Sequence, residues 1–426
     1  MVSINLPEED GVFSASHWLT SVAVFMLGAI ALVVPSGYSL GAAALFLAGV
    51  GLLVGRRLPH LTTQDRWVIA ALVSYSLVGM AEALWDSQGS SGFDKPIRYL
   101  LAIPAMWWVI AYPPRLAFLW SGIATGALSA GGWAAWQKLT TGIARAEGHT
   151  HIIQFGNLSM LLGVLCMAGL GWAVVQRQRN LWIALLCAGA IGGILGSLLS
   201  GSRGGWIGFP VVLLVLYRAY GAELSRRLKV LVIIAVFTAG VVVYAVPQLG
   251  VQARVHHAVS DVSQYISGED RATSVGSRFE MWRGAALLIQ EKPLMGWGGN
   301  GYAKAMNLLG EKGVIHQEAA QYDHPHNEFI DALAKRGLIG LLVLLALYII
   351  PMRLFTKQLR AESLVTRSIA TAGVLLPVAY IDFGLSQAFL THNSGVMMYA
   401  FLLAVLWGVY VSLIKQVNGA STKKEI

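Results

Sequence analysis

The segment GLIGLLVLLALYIIPM, residues 337–352, contains no charged side chain. Runs of this kind recur along the whole chain, which is 56% hydrophobic and only 12% charged, with a mean hydropathy of +0.61. Soluble domains carry about 25% charged residues. Because a lipid bilayer is the solvent that suits this composition, the sequence predicts an all-α, polytopic membrane protein.

About twelve segments have the length and hydropathy of a transmembrane helix, which needs about 20 residues to cross the hydrocarbon core of a bilayer. The signal is weakest in the fourth and the eighth. In chain order, the predicted spans cover residues 16–34, 38–54, 67–85, 97–112, 116–138, 153–175, 181–200, 205–220, 229–248, 337–352, 368–390 and 395–414.

Basic residues between the spans predict the orientation of the chain. With the N-terminus inside, the cytoplasmic connections hold most of the arginines and lysines. The short outward connections hold only Lys95, Arg98, Lys138, Arg145 and Arg203. Both termini are therefore predicted to be cytoplasmic. The same distribution accounts for the formal charge of +9, so the basic composition does not call for a nucleic-acid partner.

One outward connection is much longer than the others. Residues 249–336 separate the ninth and tenth spans, and connections longer than about 15 residues are usually functional. We divide the chain into spans one to nine at residues 1–248, this outward loop domain at 249–336, and the last three spans with a cytoplasmic tail at 337–426. Chemistry is expected in the loop domain, which contains His256, His257, His316, His324 and His326.

The first candidate cluster is the tight outward turn Ser-Gly-Ser-Arg-Gly-Gly-Trp at residues 200–206. An arginine this close to hydrocarbon is costly unless it faces a polar cavity, an anion or lipid phosphates. The flanking glycines would let a ligand approach the backbone closely. Arg203 is therefore a candidate anion-binding residue, with a contact to lipid phosphate as the alternative.

The second cluster begins at a predicted helix start. Ser277, followed three residues later by Glu280, has the spacing of a capping box, and the helix is expected to end shortly before Pro293. Arg278 would then lie in the first turn, where the helix dipole disfavours a cation, so its charge indicates an anionic partner. Arg283 points elsewhere and is either a further anion contact or a solvated side chain.

Residues 296–301, Gly-Trp-Gly-Gly-Asn-Gly, have the glycine spacing of a dinucleotide-binding turn. They follow a helix and a proline rather than a buried strand, so a nucleotide cofactor is not predicted. We interpret the run as either a nest of backbone N–H groups for an anion or a flexible loop.

The third cluster, Asp-His-Pro-His-Asn-Glu-Phe at residues 323–329, precedes the tenth span. Pro325 disfavours helix for the residue before it, so a helix is expected to begin directly after it, at the mouth of the bundle. The unperturbed pKa of histidine lies near neutral pH, which suits His326 to accepting a proton from a hydroxyl. The alternatives are a metal site formed with His324 and nearby carboxylates such as Glu328, or a structural cap.

Three charged residues within or beside the spans are further candidates. Asp382 lies in the eleventh span, where a carboxylate is either functional or the partner of a buried arginine. Lys95 and Arg98 flank Pro96 at the outer start of the fourth span. They would either add positive charge to an anion site or anchor lipid phosphates.

The order of these motifs resembles the O-antigen ligase family. The resemblance covers roughly residues 190–345 by motif, and the whole chain by its spans and single long outward loop. O-antigen polymerases and bacterial O-linked oligosaccharyltransferases share this block. The motifs are Ser-Arg-Gly-Gly-Trp at 202–206, Ser277-Arg278 with Trp282, Pro-Leu-Met-Gly-Trp-Gly at 293–298, His-Asn-Glu-Phe at 326–329 and Arg-Gly-Leu-Ile-Gly at 336–340.

This resemblance implies a glycosyltransferase of the C-like fold in the bacterial inner membrane, with its active site facing the periplasm. It implies transfer of O-antigen glycan from undecaprenyl pyrophosphate to a lipid A-core sugar during lipopolysaccharide assembly, without a cofactor. Matched residue by residue, the two arginines are Arg203 and Arg278 and the histidine is His326. His324 has no assigned counterpart, while Asn327 and Glu328 belong to the histidine motif as substrate-binding candidates.

The implied chemistry fits these residue types. A pyrophosphate leaving group needs charge neutralisation, which a permanently charged guanidinium supplies. A neutral His326 could accept the proton of the attacking sugar hydroxyl in a single inverting displacement. Metal-dependent membrane glycosyltransferases often hold their metal in an early outward loop. The first outward turn here, residues 35–38, has no carboxylate, so metal independence is predicted.

Other functions share parts of this pattern. An O-antigen polymerase would use the same donor with a second lipid-linked glycan as acceptor, and a protein oligosaccharyltransferase would use a periplasmic protein. A lipid-linked glycan transporter would also have about twelve spans, but it would place its charges along a central path rather than on the outward side.

Overall fold

The computed structural model describes residues 14–202, 204–246 and 250–422. Within these ranges the chain forms α-helices and two short 3₁₀ turns, Ser90–Phe93 and Phe389–Thr391, and contains no β-strand. In chain order, the α-helices are α1 (Ala15–Ala29), α2 (Gly37–Val54), α3 (Thr63–Trp85), α4 (Asp94–Ala111), α5 (Leu116–Thr140), α6 (Ile152–Ala173), α7 (Arg179–Ser200), α8 (Phe209–Tyr220), α9 (Arg226–Ala245), α10 (Val251–Ser267), α11 (Ser274–Glu291), α12 (Gly299–Glu311), α13 (Gln317–Ala320), α14 (Glu328–Thr356), α15 (Leu364–Gly384) and α16 (Asn393–Thr422).

All twelve predicted spans coincide with helices, namely α1 to α9 and α14 to α16. Eight of the described helices are both long and apolar enough to cross a membrane: α2, α3, α6, α7, α9, α14, α15 and α16. The prediction of an all-helical polytopic membrane protein is confirmed. Helices α10 to α13 lie in the long connection that the sequence analysis assigns to the loop domain.

Two boundaries differ most from the predicted spans. Helix α15 ends at Gly384, so the last residues of the predicted span 368–390 form a loop. That stretch is apolar because Ala388 and Phe389 are fully buried within the protein, not because they face lipid. Helix α14 begins at Glu328, ahead of the predicted start, and bends at Gly337 before continuing as the span.

The spans pack through small residues, as membrane helices do when their backbones approach closely. Gly131 of α5 lies against Gly192 of α7, and a side chain at either position would overlap the facing backbone. Most residues of α6, α15 and α16 are buried. In contrast, no residue described in α9 is buried, so its apolar side chains are left for lipid.

Helices α10 to α13 lie at one end of the bundle, together with the connections around residues 86–93, 141–151, 201–208 and 385–392. Contacts between these connections define what we call the loop-bearing end. They include Asp86 with Asn300, Arg145 with Ser200 and His151 with His392. A small core centred on Ala285, Leu288, Tyr302, Met306 and Ile315 holds α11, α12 and α13 together.

Candidate active site

The loop before α14 presents His326 at the loop-bearing end. Asn327 caps the helix: its Oδ1 accepts hydrogen bonds from the backbone N–H groups of Phe329 and Ile330, each at 3.0 Å. The Asn327 side-chain nitrogen donates to the carbonyl of Leu385 at 3.2 Å. Of the predicted helix start at His326 to Asn327, the structure has Asn327 as the N-cap and leaves His326 outside the helix. Both polar atoms of the Asn327 side chain are hydrogen-bonded to backbone groups, and its substrate-binding role stays a prediction.

His326 has a left-handed backbone conformation, with φ of +50°. Residues other than glycine seldom adopt this conformation, and such residues cluster at functional sites. The His326 Nδ1 is hydrogen-bonded to the Oε1 of Gln387, which is only 2% exposed. The His324 ring packs beside it at 4.3 Å between centroids. Backbone and neighbours together fix the direction of this imidazole.

Gln387 joins His326 to two further histidines. Its Nε2 lies 3.0 Å from Nε2 of His392 and 3.4 Å from Nε2 of His324. We call His324, His326, Gln387 and His392 the imidazole cluster. His151, the N-cap of α6, stacks on His392 at 5.7 Å. Among the described residues, no group of three or more His, Cys, Asp or Glu side chains is arranged to hold a metal ion.

Burial keeps the central imidazole neutral. Burial, the neighbouring His324 and the charge of Arg278 together lower the pKa of His326 to about 4, against the hydrogen bond to Gln387, which raises it. Burial likewise lowers the pKa of His392 to about 4. Because a low pKa favours the uncharged ring, both are proton acceptors rather than cations at neutral pH.

Arg278 approaches His326 from helix α11. This helix begins at Ser274 with Thr273 as its N-cap, so the predicted capping box at Ser277 is wrong. The Ser277 hydroxyl donates to the carbonyl of Ala272 instead. Thr273 is itself an effective cap, and it starts the helix one turn earlier.

The face of α11 that carries Arg278 docks on the histidine loop. Trp282, one turn further along, donates from Nε1 to the carbonyl of Pro325 at 2.8 Å. Arg278 is half-buried on this face, and its charge acts on His326. Arg283 is about half exposed and lies 3.9 Å from Oε1 of buried Glu280. The structure thus brings Arg278, but not Arg283, to the imidazole cluster.

The turn at residues 200–208 borders the same cluster. Arg203 lies outside the described residues. On one side of it, Ser202 donates to Oδ1 of Asn157 at 3.0 Å; on the other, Gly204 packs against Ser386, the neighbour of Gln387 in the chain.

Asp382 and Glu328 are both buried and both bind backbone. Asp382 Oδ1 accepts a 2.6 Å hydrogen bond from the N–H of Gly208, which fixes the turn that contains Arg203. Glu328 Oε2 accepts a 2.8 Å hydrogen bond from the N–H of Leu390, in the 3₁₀ turn just before His392. These contacts give each carboxylate a positioning role, and a contact with substrate remains a prediction for both.

Lys95 and Arg98 reach the cluster from α4. Arg98 donates to the carbonyl of Asn393 at 3.4 Å and forms an ion pair with Asp94 at 2.8 Å. The charge of Lys95 is one cause of the lowered pKa of His392. Both basic residues therefore lie at the outer rim of the imidazole cluster.

A second arrangement at this end is built from backbone. The segment 293–298 lies on the bend of α14: Pro293 O accepts from the N–H of Leu338, and the N–H groups of Trp297 and Gly298 donate to the carbonyls of Ala334 and Lys335. Gly337 has φ of +63°, and a Cβ there would overlap the backbone of this segment. We call residues 293–301 and the bend at Gly337 the glycine latch.

The end of the glycine latch binds a carboxylate of the chain itself. Asp86, directly after α3, accepts hydrogen bonds from the N–H groups of Asn300 at 2.6 Å and Gly301 at 3.1 Å. These are the first-turn N–H groups of α12, where the helix dipole favours an anion. Of the two interpretations of residues 296–301, the anion-binding one fits, and Asp86 is the anion.

A groove of about 590 Å³ opens beside the 200–208 turn, between Trp206 and Ile207 on one side and α10 on the other. Its lining is almost entirely apolar, including Val251, Val255 and Val259 from α10. Arg254 also lines it, and the guanidinium of Arg254 lies against Gly201.

Three residues of the site are absent from the sequence predictions: Gln387, His392 and His151. The predicted span 368–390 places Gln387 inside the membrane. A usable signal was the polar pair Ser386-Gln387 interrupting an apolar run, followed closely by His392-Asn393. Nothing local to His151 indicates that it packs on His392, since 241 positions separate them (392 minus 151).

Comparisons with known proteins support the motif resemblance. Residues 188–345 match the family model described as O-Antigen ligase. This range contains the 200–208 turn, Arg278 and His326. The resemblance is thus confirmed for this part of the chain.

Two relatives cover different amounts of the chain. An uncharacterized protein of Haemophilus influenzae is 28% identical over 376 residues, which are 86% of this chain and 92% of that protein. The O-antigen ligase of Escherichia coli is 24% identical over 216 residues, 50% of this chain and 48% of that protein. The family model and the second relative share the description O-antigen ligase.

Proposed function

We propose that this protein transfers O-antigen glycan from undecaprenyl pyrophosphate to a sugar hydroxyl of lipid A-core, at the periplasmic face of the bacterial inner membrane. The observation that carries the proposal is a half-buried His326 imidazole at the loop-bearing end, hydrogen-bonded through Nδ1 to Gln387 and acted on by the charge of Arg278. A proton acceptor and a fixed positive charge are the two groups that transfer from a pyrophosphate to a hydroxyl requires.

In the proposed reaction, the acceptor oxygen attacks the anomeric carbon of the donor. A new carbon–oxygen bond forms as the bond from that carbon to the pyrophosphate oxygen breaks. The proton of the attacking hydroxyl passes to His326, and both electrons of the broken bond leave with undecaprenyl pyrophosphate. One displacement inverts the anomeric configuration, and no covalent enzyme intermediate forms.

Arg278 and Arg203 are proposed to bind the pyrophosphate. Guanidinium stays charged at any physiological pH and can bind phosphate oxygens through two parallel hydrogen bonds. Arg278 is held by helix α11, whose Trp282 is anchored on the His326 loop. Arg203 belongs to a turn whose neighbouring residues contact Asn157 and Ser386. Lys95 and Arg98 would add positive charge from the rim.

The groove beside α10 suits the other part of the donor. An isoprenoid chain needs an apolar surface that is open to lipid, and a groove lined by valines, Trp206 and Ile207 offers one. Arg254 places a positive charge within this lining, next to the 200–208 turn. A ligand with an apolar tail and an anionic head would match that combination.

Reconstitution tests the proposal. Purified protein in vesicles is supplied with lipid-linked O-antigen and with lipopolysaccharide that lacks O-antigen, and the product is resolved by gel electrophoresis. We expect long-chain lipopolysaccharide to form, and to form equally in the presence of a metal chelator. Activity that a chelator abolishes and a divalent cation restores would overturn metal independence.

Other acceptors separate the related activities. With lipid-linked glycan alone, longer carrier-linked chains would identify a polymerase, and with a periplasmic protein as acceptor, a labelled protein would identify an oligosaccharyltransferase. Movement of lipid-linked glycan across the vesicle without any new glycosidic bond would contradict the proposal and indicate a transporter.

A further inference from the structure

We propose that Gln387 is a positioning residue that selects the tautomer of His326, and that Asp323 and His324 in turn fix the orientation of the Gln387 amide. This inference deepens the proposed function and rests on it. It concerns which nitrogen of His326 is free to take the proton, a question that contacts around the ring can answer.

Gln387 is suited to the task because a side-chain amide has one end that only donates and one that only accepts hydrogen bonds. Its side chain is 2% exposed and lies among three imidazoles, so neither end can turn to water instead. The orientation of the amide therefore decides which ring nitrogens around it carry protons.

The chain of contacts that sets the protonated ring nitrogens begins at Asp323. One of its carboxylate oxygens lies 3.1 Å from Nδ1 of His324, a charge contact outside hydrogen-bond alignment, and the His324 side chain holds the pKa of Asp323 well below its usual range. A carboxylate that is ionised favours a proton on the nitrogen that faces it. His324 then carries its proton on Nδ1, and its Nε2 is left as an acceptor.

The second step is at Gln387 itself. Its Nε2 lies 3.4 Å from Nε2 of His324 and 3.0 Å from Nε2 of His392. Because the amide nitrogen donates two hydrogen bonds, both contacts are satisfied when these ring nitrogens accept. Turning the amide over would set its oxygen against the His324 lone pair, so the carbonyl oxygen is kept on the side of His326.

The third step is at His326. Its Nδ1 faces the Gln387 oxygen, which can only accept, so Nδ1 must carry the proton of the neutral ring. The lone pair of His326 is then on Nε2, on the opposite side of the ring. This is the tautomer in which Nε2 can accept the proton of an attacking hydroxyl.

An amide in this position differs from a carboxylate in one respect. Both would accept from Nδ1, but a carboxylate would also stabilise the imidazolium and raise the pKa of His326. Gln387 orients the ring without adding negative charge. Within the part of the chain that the structure describes, the charged or titratable groups that face His326 are His324 and Asp323 from its own loop, Arg278 from α11, His392 across Gln387, and Tyr322, whose ring lies 5.5 Å away.

The test is the pH dependence of kcat/KM for glycan transfer by the full-length protein in vesicles. In Gln387→Glu, the carboxylate should still orient the ring and should move the acid limb of the profile to higher pH by about one unit or more. In Gln387→Ala, kcat should fall about 10- to 100-fold with little change in the KM for the donor, because the ring loses its orienting partner.

Gln387→Asn keeps the amide but shortens its reach, and it should behave like Gln387→Ala. The matched control is Gln290→Glu, which adds the same charge at an exposed position near the end of α11. That control should leave the profile unchanged. An acid limb in Gln387→Glu that coincides with that of the parent protein would overturn the inference.

A second measurement applies to the unaltered protein and does not depend on any variant folding. In protein with ¹⁵N-labelled histidine, the His326 resonances are identified by their loss in His326→Gln, and their shifts report which ring nitrogen is protonated. We expect Nδ1 to carry the proton; an Nε2-protonated ring would refute the inference. If the protein transfers no glycan at all, the proposed function fails, yet this spectrum still decides the tautomer.

Discussion

The imidazole cluster and the glycine latch lie at the same end of the bundle, and both include motifs of the segment that matches the O-antigen ligase family. They are built differently. The cluster is held by side chains: Gln387 connects His326 to His324 and His392. The latch is held by backbone, where the segment 293–298 pairs with the bend at Gly337.

This difference separates residues that do chemistry from residues that position them. In the cluster, changing a side chain removes a group that can take a proton, while the backbone nearby is still anchored by the Asn327 cap. In the latch, any side chain added at Gly337 meets backbone. Substitutions in the cluster should therefore reduce turnover at constant stability, and substitutions in the latch should reduce stability at constant pH dependence.

The largest effect is expected from His326→Ala. Loss of the proton acceptor should lower kcat by about 10²- to 10⁴-fold, the usual contribution of a general base, without a matching loss of thermal stability. In the parent protein, His326 is uncharged above its pKa of about 4, so the rate should stay level as pH falls from neutrality and decline only near that value. Rates and unfolding temperatures are measured in the same vesicle preparation.

The control is His60→Ala, which removes an exposed histidine from the connection between α2 and α3, at the opposite end of the bundle. It should have parental activity. If His326→Ala retained more than a tenth of the parental kcat, the cluster would not supply the base.

A smaller effect is expected from Arg278, which belongs to neither region but acts on the cluster. Arg278→Ala should lower kcat/KM for the lipid-linked donor by about 10- to 100-fold, the value of hydrogen bonds to a charged group. Arg278→Lys should restore only part of this, because lysine cannot bind a phosphate through two parallel hydrogen bonds. Initial rates at varied donor concentration measure both.

Arg283→Ala is the matched variant, since it removes an exposed arginine from the same helix and leaves Arg278 in place. It should change kcat/KM by less than Arg278→Ala does. Equal losses in the two variants would mean that α11 contributes general positive charge rather than a specific contact.

The sequence predicts the fold well because hydropathy reports directly on the lipid that surrounds a helix. All twelve predicted spans are helices, and the two largest errors of boundary have a physical cause. Ala388 and Phe389 look like membrane residues but are buried in protein, and the bend at Gly337 joins two helical segments that hydropathy treats separately. Local sequence also misplaced the start of α11, because Thr273 and Ser277 are both competent caps.

The site residues that the sequence predicts are those that belong to one local motif. Residues that join the site only through contacts between distant segments are not predicted. His326 stands out as a histidine after a proline. Arg278 stands out as a cation near a predicted helix start, although α11 begins one turn earlier and places Arg278 in its second turn. Gln387 and His392 acquire their importance only from contacts with residues far away in the chain, such as His151. No periodicity or spacing encodes a hydrogen bond between positions 326 and 387.

In the latch, Gly337→Ala should reduce stability rather than chemistry. At φ of +63° and ψ of −162°, alanine is strained by about 1–3 kcal/mol, and its Cβ would also overlap the backbone of Leu294. Thermal unfolding in detergent measures the loss. The acid limb of the activity profile should stay where it is in the parent protein.

Gly132→Ala provides the comparison, because a Cβ there meets nothing within 4 Å and the position lies within helix α5. It should be neutral or slightly stabilising, as alanine is a better helix former than glycine. A shifted acid limb in Gly337→Ala would show that the two regions are coupled more closely than their contacts indicate.

The smallest effect is expected where the latch meets the bundle, at Asp86. Its carboxylate accepts from the N–H groups of Asn300 and Gly301 at the start of α12, an arrangement worth about 1–2 kcal/mol at a helix N-terminus. Asp86→Ala should therefore speed hydrogen exchange of these two amides by about 5- to 30-fold while leaving kcat within about twofold of the parent.

Asp86→Asn should fall between the parent and Asp86→Ala, since an amide keeps one acceptor oxygen but loses the charge that the helix dipole favours. Glu311→Ala, at the exposed far end of α12, should leave both amides unaffected. Asp86 forms its hydrogen bonds with Gln88, Asn300 and Gly301, none of which belongs to the imidazole cluster. A large loss of kcat in Asp86→Ala would therefore mean that docking of α12 is itself required for transfer. The backbone-built region would then control chemistry as well as stability, and the division between the two regions would have to be abandoned.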